Sequence, residues 1–511
     1  MSDLAADEQP RQHFLDRAGL RGFPWKTAIT LYTISYGWLF IVRDSLWVDD
    51  WDLFKFPGLV GFDFSTQGFA PWMEINHILF RNFGPGFMRL LIFILFFGSG
   101  VFLFGVLQTV NILNESQRRF TALLFLLLPF NTARVALMTF HYTTAYFLFF
   151  AAWYLLVNFR SVWMQAGSIV LFFLSFQMHS LLFFFALPAF HSLWISVPRT
   201  AQGFRFEIKK FGPLLLLPLS YWLCRTLFWP EQVKYHDIGM EQIRVCAPFI
   251  ATSSLIIFFL FLGQRKLQRK LVQKNLRLLI LGLIATLAGL VPYLLYTEVV
   301  SPFYIVFSEY LLTFLARSDW HSRHQTLLPL GLAFLTVSAI GLIGGATKKL
   351  QLTMQVSTVA LCLIFNLGFG FEYVVDAAKR TDIVAALEST PTPRDLEEIR
   401  YVDNSKLLNA RGNEYRPRDW IGMAALAYGS EEIKNFEMTV GECEPKLNLR
   451  LVLIEGPETH LQALKNWVGD GDMGFKITID DTPGACKLGM ATTARVSGAI
   501  PILFYFTGAK N

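Results

Sequence analysis

Three acidic residues, Asp49, Asp50 and Asp52, lie within four positions of one another in the stretch "SLWVDDWDLF" (45–54). They follow directly on the first apolar segment of the chain. A carboxylate held at such a place can act as a general base, because it can accept the proton of an attacking hydroxyl group. Adjacent residues on a helix point about 100° apart, so we expect only one of Asp49 and Asp50 to face a reacting centre.

Basic side chains recur where apolar segments end, and they supply a complementary chemistry. An arginine can bind a phosphate through two parallel hydrogen bonds. Acids in one loop and cations in several others therefore predict a site for a phosphate-bearing molecule. Basic residues at helix ends also extend to lipid headgroups without any further role, and this alternative stays open for each of them. The cations are Arg134, His141, His179, Arg225, Arg323 and His324.

The stretch "APWMEINHILFRNFGPGF" (70–87) adds a second group of polar residues. Glu74, His77 and Arg81 follow one another at spacings of three and four, which places them on one face of a helix. We expect an amphipathic helix at the membrane surface, ended by Gly84 and Pro85. A surface helix whose polar side simply faces water explains Glu74 and Arg81 equally well. With His141 and His179, these three residues are second-rank candidates for binding substrate.

The composition shows what kind of chain must position these residues. Of 511 residues, 53% are hydrophobic and only 16% are charged, whereas a soluble domain carries roughly 25% charged residues. The sequence therefore predicts a polytopic membrane protein, and its net charge of +6 is not a sign of nucleic-acid binding. We predict eleven membrane helices, at 26–43, 88–110, 119–131, 143–158, 162–177, 180–197, 211–229, 246–263, 277–297, 325–346 and 351–372.

The distribution of basic residues predicts the orientation of the chain. The runs "QRKLQRKLVQKNLR" (264–277) and "TKKL" (347–350) lie on the same predicted side as the segment 1–25. By the positive-inside rule this side is cytoplasmic. The long first loop (44–87) is then outside, and an odd number of spans places the polar tail (373–511) outside as well. Trp47 and Trp51 are expected to anchor the acidic stretch at the membrane interface.

The polar tail predicts a small α/β domain. "LRLVLIEG" (449–456) and "FKITIDD" (475–481) have strand character, and "PETHLQALKNWVGDG" (457–471) is typical of a helix with a glycine stop. Cys443 and Cys486 lie in this tail and are expected to form a disulfide if the tail is in an oxidising compartment, although two free thiols remain the alternative. Cys224, Cys246 and Cys362 are expected to be small core residues.

The membrane region resembles the GT-C superfamily of integral-membrane glycosyltransferases. Those enzymes carry Asp-Asp or Asp-x-Asp at the outer end of the first membrane helix, and "WVDDWD" (47–52) offers both patterns. The stretches 77–107 and 126–149 are similar to the second-helix region and to the segment after the third span. "YWLCRTLF" (221–228) and "SRHQTLLPLGLAFL" (322–335) resemble family segments that contain an arginine. At "FQMHS" (176–180), by contrast, several relatives carry a Lys-Glu pair.

The resemblance implies an inverting glycosyltransferase of the bacterial inner membrane. The donor would be a polyprenyl-phosphate sugar, and the acceptor a glycan, lipid or protein outside the cell. Asp49 or Asp50 would be the base, with Asp52 third, and the remaining acids would bind sugar hydroxyls, orient the loop or assist with a metal. Arg225, Arg323 and His324 would hold the lipid phosphate. Relatives with monophosphate donors imply no cofactor, and a divalent metal is the minority alternative.

Two other classes of membrane protein fit part of this pattern. A transporter or flippase of lipid-linked sugars accounts for arginine and histidine within the membrane region equally well. It does not account for acids clustered in a long first loop or for a folded tail. An O-antigen polymerase or ligase also uses outer arginine and histidine residues, but that class places its largest soluble part between late helices.

Overall fold

A computed structural model gives the structure of the chain. It describes residues 20, 22–47, 50–55, 70–196, 214–228, 230, 251, 255, 259, 270–294, 325–343, 347–390, 398–410, 414–429, 436–439, 449–480 and 492–496. The chain forms two compact units. We call residues 1–40 with 61–368 the membrane unit, and residues 41–60 with 369–511 the C-terminal unit. Residues 41–60, which contain the acidic stretch, are called the acid loop.

Helices make up most of the described chain. Every predicted membrane segment except 246–263 overlaps one of the helices given below. Of 246–263 the structure describes only residues 251, 255 and 259, which are helical. The helices are α1 Trp25–Tyr36, α2 Asp50–Lys55, α3 Ala70–Gln108, α4 Glu115–Leu127, α5 Phe140–Asn158, α6 Val162–Ser175, α7 Ser180–Phe184, α8 Ala186–Ser196, α9 Leu217–Phe228, α10 Lys270–Leu294, α11 Leu328–Ile343, α12 Lys348–Glu388, α13 Pro417–Tyr428 and α14 His460–Asp470.

Four described helical stretches are long and apolar enough to cross a membrane: Ile75–Gln108, Leu137–Asn158, Val272–Pro292 and Lys348–Glu388. Shorter apolar helices are found at Val162–Ser175, Ser180–Ser192 and Leu328–Ile343. These lengths and compositions agree with a polytopic membrane protein. The count of eleven spans stays a prediction, since only some of the predicted segments reach a full span within the described residues.

Helix α3 is bent at the position where the sequence predicts a stop. Gly84 has φ 75° and ψ 177°, which interrupts the helical path. Glycine reaches this positive φ without a steric penalty, and Pro85 is suited to the first turn of the helix that resumes after it. The backbone leaves the helical path at Gly84, so the first helical part of α3 ends where the sequence predicts a stop, and a second helical part follows it after the kink.

Helices α10 and α11 of the membrane unit pack through glycines. A Cβ added at Gly331 of α11 would lie 2.5 Å from the backbone nitrogen of Thr286 on α10. One added at Gly289 of α10 would lie 3.0 Å from the carbonyl oxygen of Leu327, beside the start of α11. Small residues let membrane helices approach closely, because lipid tails supply no hydrophobic force that would favour helix association. The contact is therefore set by van der Waals fit.

The substitution Gly331→Ala is expected to destabilise the membrane unit. The new methyl group meets Thr286 backbone atoms, which cannot rotate away as a side chain would. Overpacking of this kind costs about 1–3 kcal/mol. Thermal unfolding in detergent measures the decrease in stability. Gly368→Ala is the matched control, because no atom lies within 4 Å of its added Cβ. An unchanged melting temperature for Gly331→Ala would contradict the close contact.

The C-terminal unit contains a five-stranded mixed sheet. Its strands are β1 Glu398–Asp403, β2 Phe436–Thr439, β3 Leu449–Glu455, β4 Lys476–Asp480 and β5 Thr492–Val496, in the order β2-β5-β1-β3-β4. Strands β1 and β3 are parallel and the other neighbours are antiparallel. The alternating residues Ile399 and Tyr401 of β1 and Val452 and Ile454 of β3 are buried. The two predicted strands and the predicted helix are present, and Gly471 ends α14 in the left-handed conformation.

The last turns of α12 belong to this unit and help to form its core. Val375 packs in a buried cluster with Leu408, Ala463 and Met473. Ala463 lies on α14, so the helix that follows β3 is held against the end of α12. The sequence prediction places the start of the tail at residue 373. In the structure α12 continues without a break to Glu388, and the C-terminal unit begins at residue 369 within it.

Candidate functional site

The segment that joins α4 to α5 holds the most unusual charged residue of the membrane unit. Helix α4 ends at Leu127, shortly before Pro129, which cannot continue a helix. Asn131 has a positive φ of 53° and begins a short 3₁₀ turn, Thr132–Val135. All four residues of this turn are buried. Arg134 is therefore part of a turn that is enclosed by the protein rather than exposed as an ordinary loop.

Tyr36 and Asn366 hold the end of α4 in place. The Tyr36 hydroxyl donates to the Leu128 carbonyl oxygen at 3.1 Å. The Asn366 amide donates to the Leu127 carbonyl oxygen at 2.7 Å. The last carbonyl groups of a helix have no partner within it. The Asn366 amide supplies one for Leu127, and the Tyr36 hydroxyl adds a second donor to the Leu128 carbonyl, which also accepts the Phe130 N–H at 2.8 Å. The position of the turn that carries Arg134 is thereby fixed from two other helices, α1 and α12.

The Arg134 side chain is stacked between aromatic rings and makes no hydrogen bond. Only 1% of the residue is exposed. Its guanidinium carbon lies 3.5 Å from the centroid of the Tyr36 ring and 4.3 Å from that of Phe96. None of its three guanidinium nitrogens has a hydrogen-bond partner. The rings fix the plane of the guanidinium group but leave its N–H donors unused.

Among the residues that the structure describes, no acid pairs with Arg134. Within the membrane unit, Glu115 is the one carboxylate whose side chain the structure describes, and it pairs with Arg119 at 3.1 Å and Arg118 at 4.0 Å. A buried ion without a partner costs several kcal/mol. The cation–π contacts with Tyr36 and Phe96 each stabilise a desolvated guanidinium group by about 2 kcal/mol, which offsets only part of this cost. A bound anion would supply both the charge and the hydrogen bonds that the described residues do not give to the five N–H donors of Arg134.

A second arginine reaches the same turn. Arg89 on α3 is fully buried, and its Nε donates to the Val135 carbonyl oxygen at 3.3 Å. Val135 is the residue after Arg134, so two buried guanidinium groups approach one turn of the chain.

The acidic stretch lies in the C-terminal unit. Asp50 is fully buried at the start of α2. Its Oδ2 accepts the backbone N–H of Trp47 at 3.2 Å, and its own N–H donates to the Trp47 carbonyl oxygen at 2.9 Å. Its carboxylate thus closes a turn with Trp47 directly before the helix. Asp49 lies outside the described residues, as does the side chain of Asp52.

Two of the basic candidates lie beside one tyrosine of the membrane unit. Arg225 is half-buried on α9, one turn after Tyr221. The His179 ring centroid is 6.5 Å from that of Tyr221. The structure therefore brings His179 and Arg225 to the same aromatic residue, although they are 46 positions apart in the sequence. Arg323 and His324 lie outside the described residues.

The remaining candidates have varied surroundings. His141 is buried at the start of α5, His77 is half-buried on α3 and Arg81 is exposed on the same helix. Glu74 is in α3, but its side chain is outside the described part of the chain. Cys246, Cys443 and Cys486 lie outside it too, so the predicted disulfide stays a prediction. Among the side chains that are described, no cluster of three or more His, Cys, Asp or Glu residues could hold a metal ion.

Comparisons with protein families, curated proteins and solved structures find no match to this chain. The candidate site is therefore argued from its own geometry. Arg134 is its central residue, and the sequence analysis placed it only among the loop cations. One signal was available, because the sequence has no Asp or Glu between Glu115 and Glu207. An arginine in the middle of such a stretch has no local acid with which to pair.

Proposed function

We propose that the chain is an integral-membrane glycosyltransferase that moves a sugar from a polyprenyl-phosphate donor to an acceptor outside the cytoplasm. The observation that carries the proposal is Arg134, a buried guanidinium group with unused donors inside a helical membrane unit. The anions that a membrane offers are lipid phosphates. The proposal places the chain in the bacterial inner membrane, with a cytoplasmic N-terminus and the residues from 373 onward outside.

The chemistry of the transfer gives Arg134 a role in rate as well as in binding. A polyprenyl-phosphate sugar carries one negative charge on its phosphodiester. When the bond between the anomeric carbon and the phosphate oxygen breaks, the departing phosphate gains a second negative charge. A guanidinium group aimed at that phosphate therefore stabilises the transition state more than the ground state, which is the condition for catalysis. Arg225, Arg323 and His324 remain further candidates for the same charge.

The acid loop supplies the base in this proposal, and we assign the role to Asp49. The acceptor oxygen forms its bond to the anomeric carbon from the face opposite the phosphate, and its proton passes to the carboxylate. Asp50 is buried and accepts a backbone hydrogen bond at the start of α2, which is a structural task. Asp49 is the neighbouring acid, and Asp52 is the next candidate. The reaction is a single displacement with inversion at the anomeric carbon.

Single substitutions to asparagine test the assignment. In a strain that lacks the chromosomal gene, Asp49→Asn is expected to restore a normal protein level but no glycan modification. Asp50→Asn is expected to lower the level of folded protein, because the helix start loses its charged acceptor. Profiling of membrane glycans with immunoblotting of the protein measures both effects. Asp44→Asn is the matched control, since Asp44 lies in the same loop with its side chain 73% exposed.

The results also separate the proposal from its competitors. If each of the three single variants, at Asp49, Asp50 and Asp52, restored full glycan modification, the glycosyltransferase assignment would be rejected. A flippase would leave its lipid-linked sugar on the cytoplasmic face of the deletion strain, whereas loss of a transferase leaves the donor loaded on the outer face. Accessibility of the accumulated lipid to an impermeant glycosidase distinguishes these outcomes.

A further inference from the structure

Helix α14 of the C-terminal unit carries an apolar stripe that faces outward. Leu461 is 62% exposed, Val468 is 76% exposed and Trp467 is half-exposed, while Leu464 lies half-buried between them. At about 100° per residue, these four side chains fall within an arc of about 120° on the helix. We call them the apolar stripe. Single exposed apolar residues are common, whereas a contiguous group of them marks a contact surface.

The packing of α14 fixes the direction in which the stripe faces. Ala463 lies on another side of the helix and is buried in one cluster with Val375 of α12 and with Met473. The Asn466 amide donates to the Met473 carbonyl oxygen at 3.3 Å. At the other end, the Thr459 side chain accepts the first free N–H of the helix at 3.2 Å. These contacts hold the helix at both ends, so it cannot rotate to bury the stripe in the core.

The start of α14 lies beside the residue at which the uncharged stretch of α12 ends. Between Lys349 and Glu372, α12 contains no Asp, Glu, Lys or Arg. At about 1.5 Å per residue this stretch is about 33 Å long, which matches a hydrocarbon core of about 30 Å. The ring centroid of His460, the first residue of α14, lies 6.5 Å from that of Phe371, the last residue of the stretch. The apolar stripe therefore begins at the level at which α12 leaves the hydrocarbon core.

The residues of the stripe suit the boundary between lipid headgroups and acyl chains. The stripe itself carries no charge and contains a tryptophan, the residue type that is enriched at this boundary. Lys465 flanks it on the exposed side and is long enough to extend to the headgroups. The segment 457–474 has this one lysine but three acids, so anionic lipids are not what attracts it. Burial of apolar surface is the force that remains.

We propose that α14 lies in the membrane interface, with the apolar stripe in contact with lipid, and thereby docks the C-terminal unit on the bilayer that α12 crosses. A bilayer is present at this level because α12 spans it, whereas a protein partner would have to be recruited. The inference rests on the apolar helices that are long enough to cross a membrane. It does not depend on glycosyl transfer, so the two proposals can fail separately.

Photocrosslinking identifies what touches the stripe. The photoreactive amino acid p-benzoylphenylalanine replaces Leu461, Val468 or Gln462 in the full-length chain, which is placed in phosphatidylcholine nanodiscs. Gln462 is the matched control, because it is exposed on the same helix but lies about 100° from Leu461 and about 120° from Val468. Mass spectrometry after irradiation shows whether each position has bonded to lipid or to protein. We expect several-fold more lipid adduct at positions 461 and 468 than at position 462.

Several results of this experiment would overturn the proposal. Equal lipid adduct at all three positions, or none at 461 and 468, would show that the stripe does not rest on lipid. Crosslinks to a second copy of the chain, or to another segment of the same chain, would assign the stripe to a protein contact. Adducts that form only after phosphatidylglycerol is added would mean that charge, and not apolar burial, drives the contact.

Hydroxyl-radical footprinting of the wild-type chain in the same nanodiscs requires no substitution, so it decides the matter even if the photoreactive variants fail to fold. Leu461 is 62% exposed and Leu426 of α13 is 39% exposed. If α14 faced water, Leu461 would be oxidised faster than Leu426. Contact with the bilayer excludes water from Leu461, and we expect the order of the two rates to be reversed. Faster oxidation of Leu461 would overturn the proposal.

Discussion

Arg134→Met is expected to stabilise the protein while it removes lipid-phosphate binding. Methionine fills the space between Tyr36 and Phe96 without a buried charge, so the free energy of unfolding should rise by about 1–3 kcal/mol. Affinity for polyprenyl phosphate should fall about 100-fold, because a charge-assisted hydrogen bond is worth about 1.5–3 kcal/mol. Gains in stability and losses in binding from one substitution are the signature of a residue kept for a ligand.

Three comparisons make this expectation specific. Binding of polyprenyl phosphate is measured against uncharged polyprenol, and only the former should depend on Arg134. Arg134→Lys keeps the charge but loses the planar fork, so its affinity should lie between wild type and Arg134→Met. Arg119→Met is the control, since Arg119 is half-exposed and pairs with Glu115. A destabilised Arg134→Met protein with wild-type affinity would mean that the guanidinium is structural.

Arg380→Met is expected to have the opposite effect on stability. It leaves the carboxylates of Asp376 and Asp419 buried without their cation. Breaking a buried pair by removing one partner costs about 3–5 kcal/mol, so the C-terminal unit should unfold at a much lower temperature. Differential scanning calorimetry in detergent measures the change. The triple variant Asp376→Asn, Arg380→Met and Asp419→Asn removes all three charges and should recover much of the loss.

An exposed ion pair in the same unit provides the contrast. Lys406 and Glu414 lie 2.6 Å apart, closer than Arg380 lies to Asp376 (3.0 Å) or to Asp419 (2.8 Å), but more than half of each side chain is exposed. Pairs in water contribute little, because solvent screens the charges and both side chains lose freedom. Lys406→Met should therefore leave the melting temperature unchanged. An equal decrease in the melting temperature of Lys406→Met and Arg380→Met would show that burial does not explain the effect of Arg380→Met.

Local patterns predicted three elements of the C-terminal unit, β3, β4 and α14, and did not predict β1, β2, β5 or α13. The alternation in "FKITIDD" and the glycine stop after 457–470 are properties of neighbouring residues, and β4 and α14 form where these patterns lie. Gly84 and Pro85 likewise mark the interruption of α3. Glycine and proline act on the backbone directly, so their effects are visible before any tertiary contact is known.

The functional sites depend on contacts that no local pattern encodes. Trp47 and Trp51 suit a membrane interface by residue type, and only the distant Asp376 and Asp419 give their indoles a buried partner. In the sequence Arg134 is one of several loop cations, and only the structure shows that Tyr36 and Phe96 enclose it. The sequence named Arg134 as a candidate cation, but it did not predict that aromatic rings would enclose it.

The bond between Trp51 and Asp419 also constrains how the protein is made. The two residues are separated by 368 positions. At a synthesis rate of about 5–20 residues per second, Asp419 is synthesised roughly 20–70 s after Trp51. The Trp47 and Trp51 indoles must therefore remain without their partners, Asp376 and Asp419, while most of the chain is synthesised. The acid loop is among the first parts of the protein to be translated and among the last to reach its native conformation.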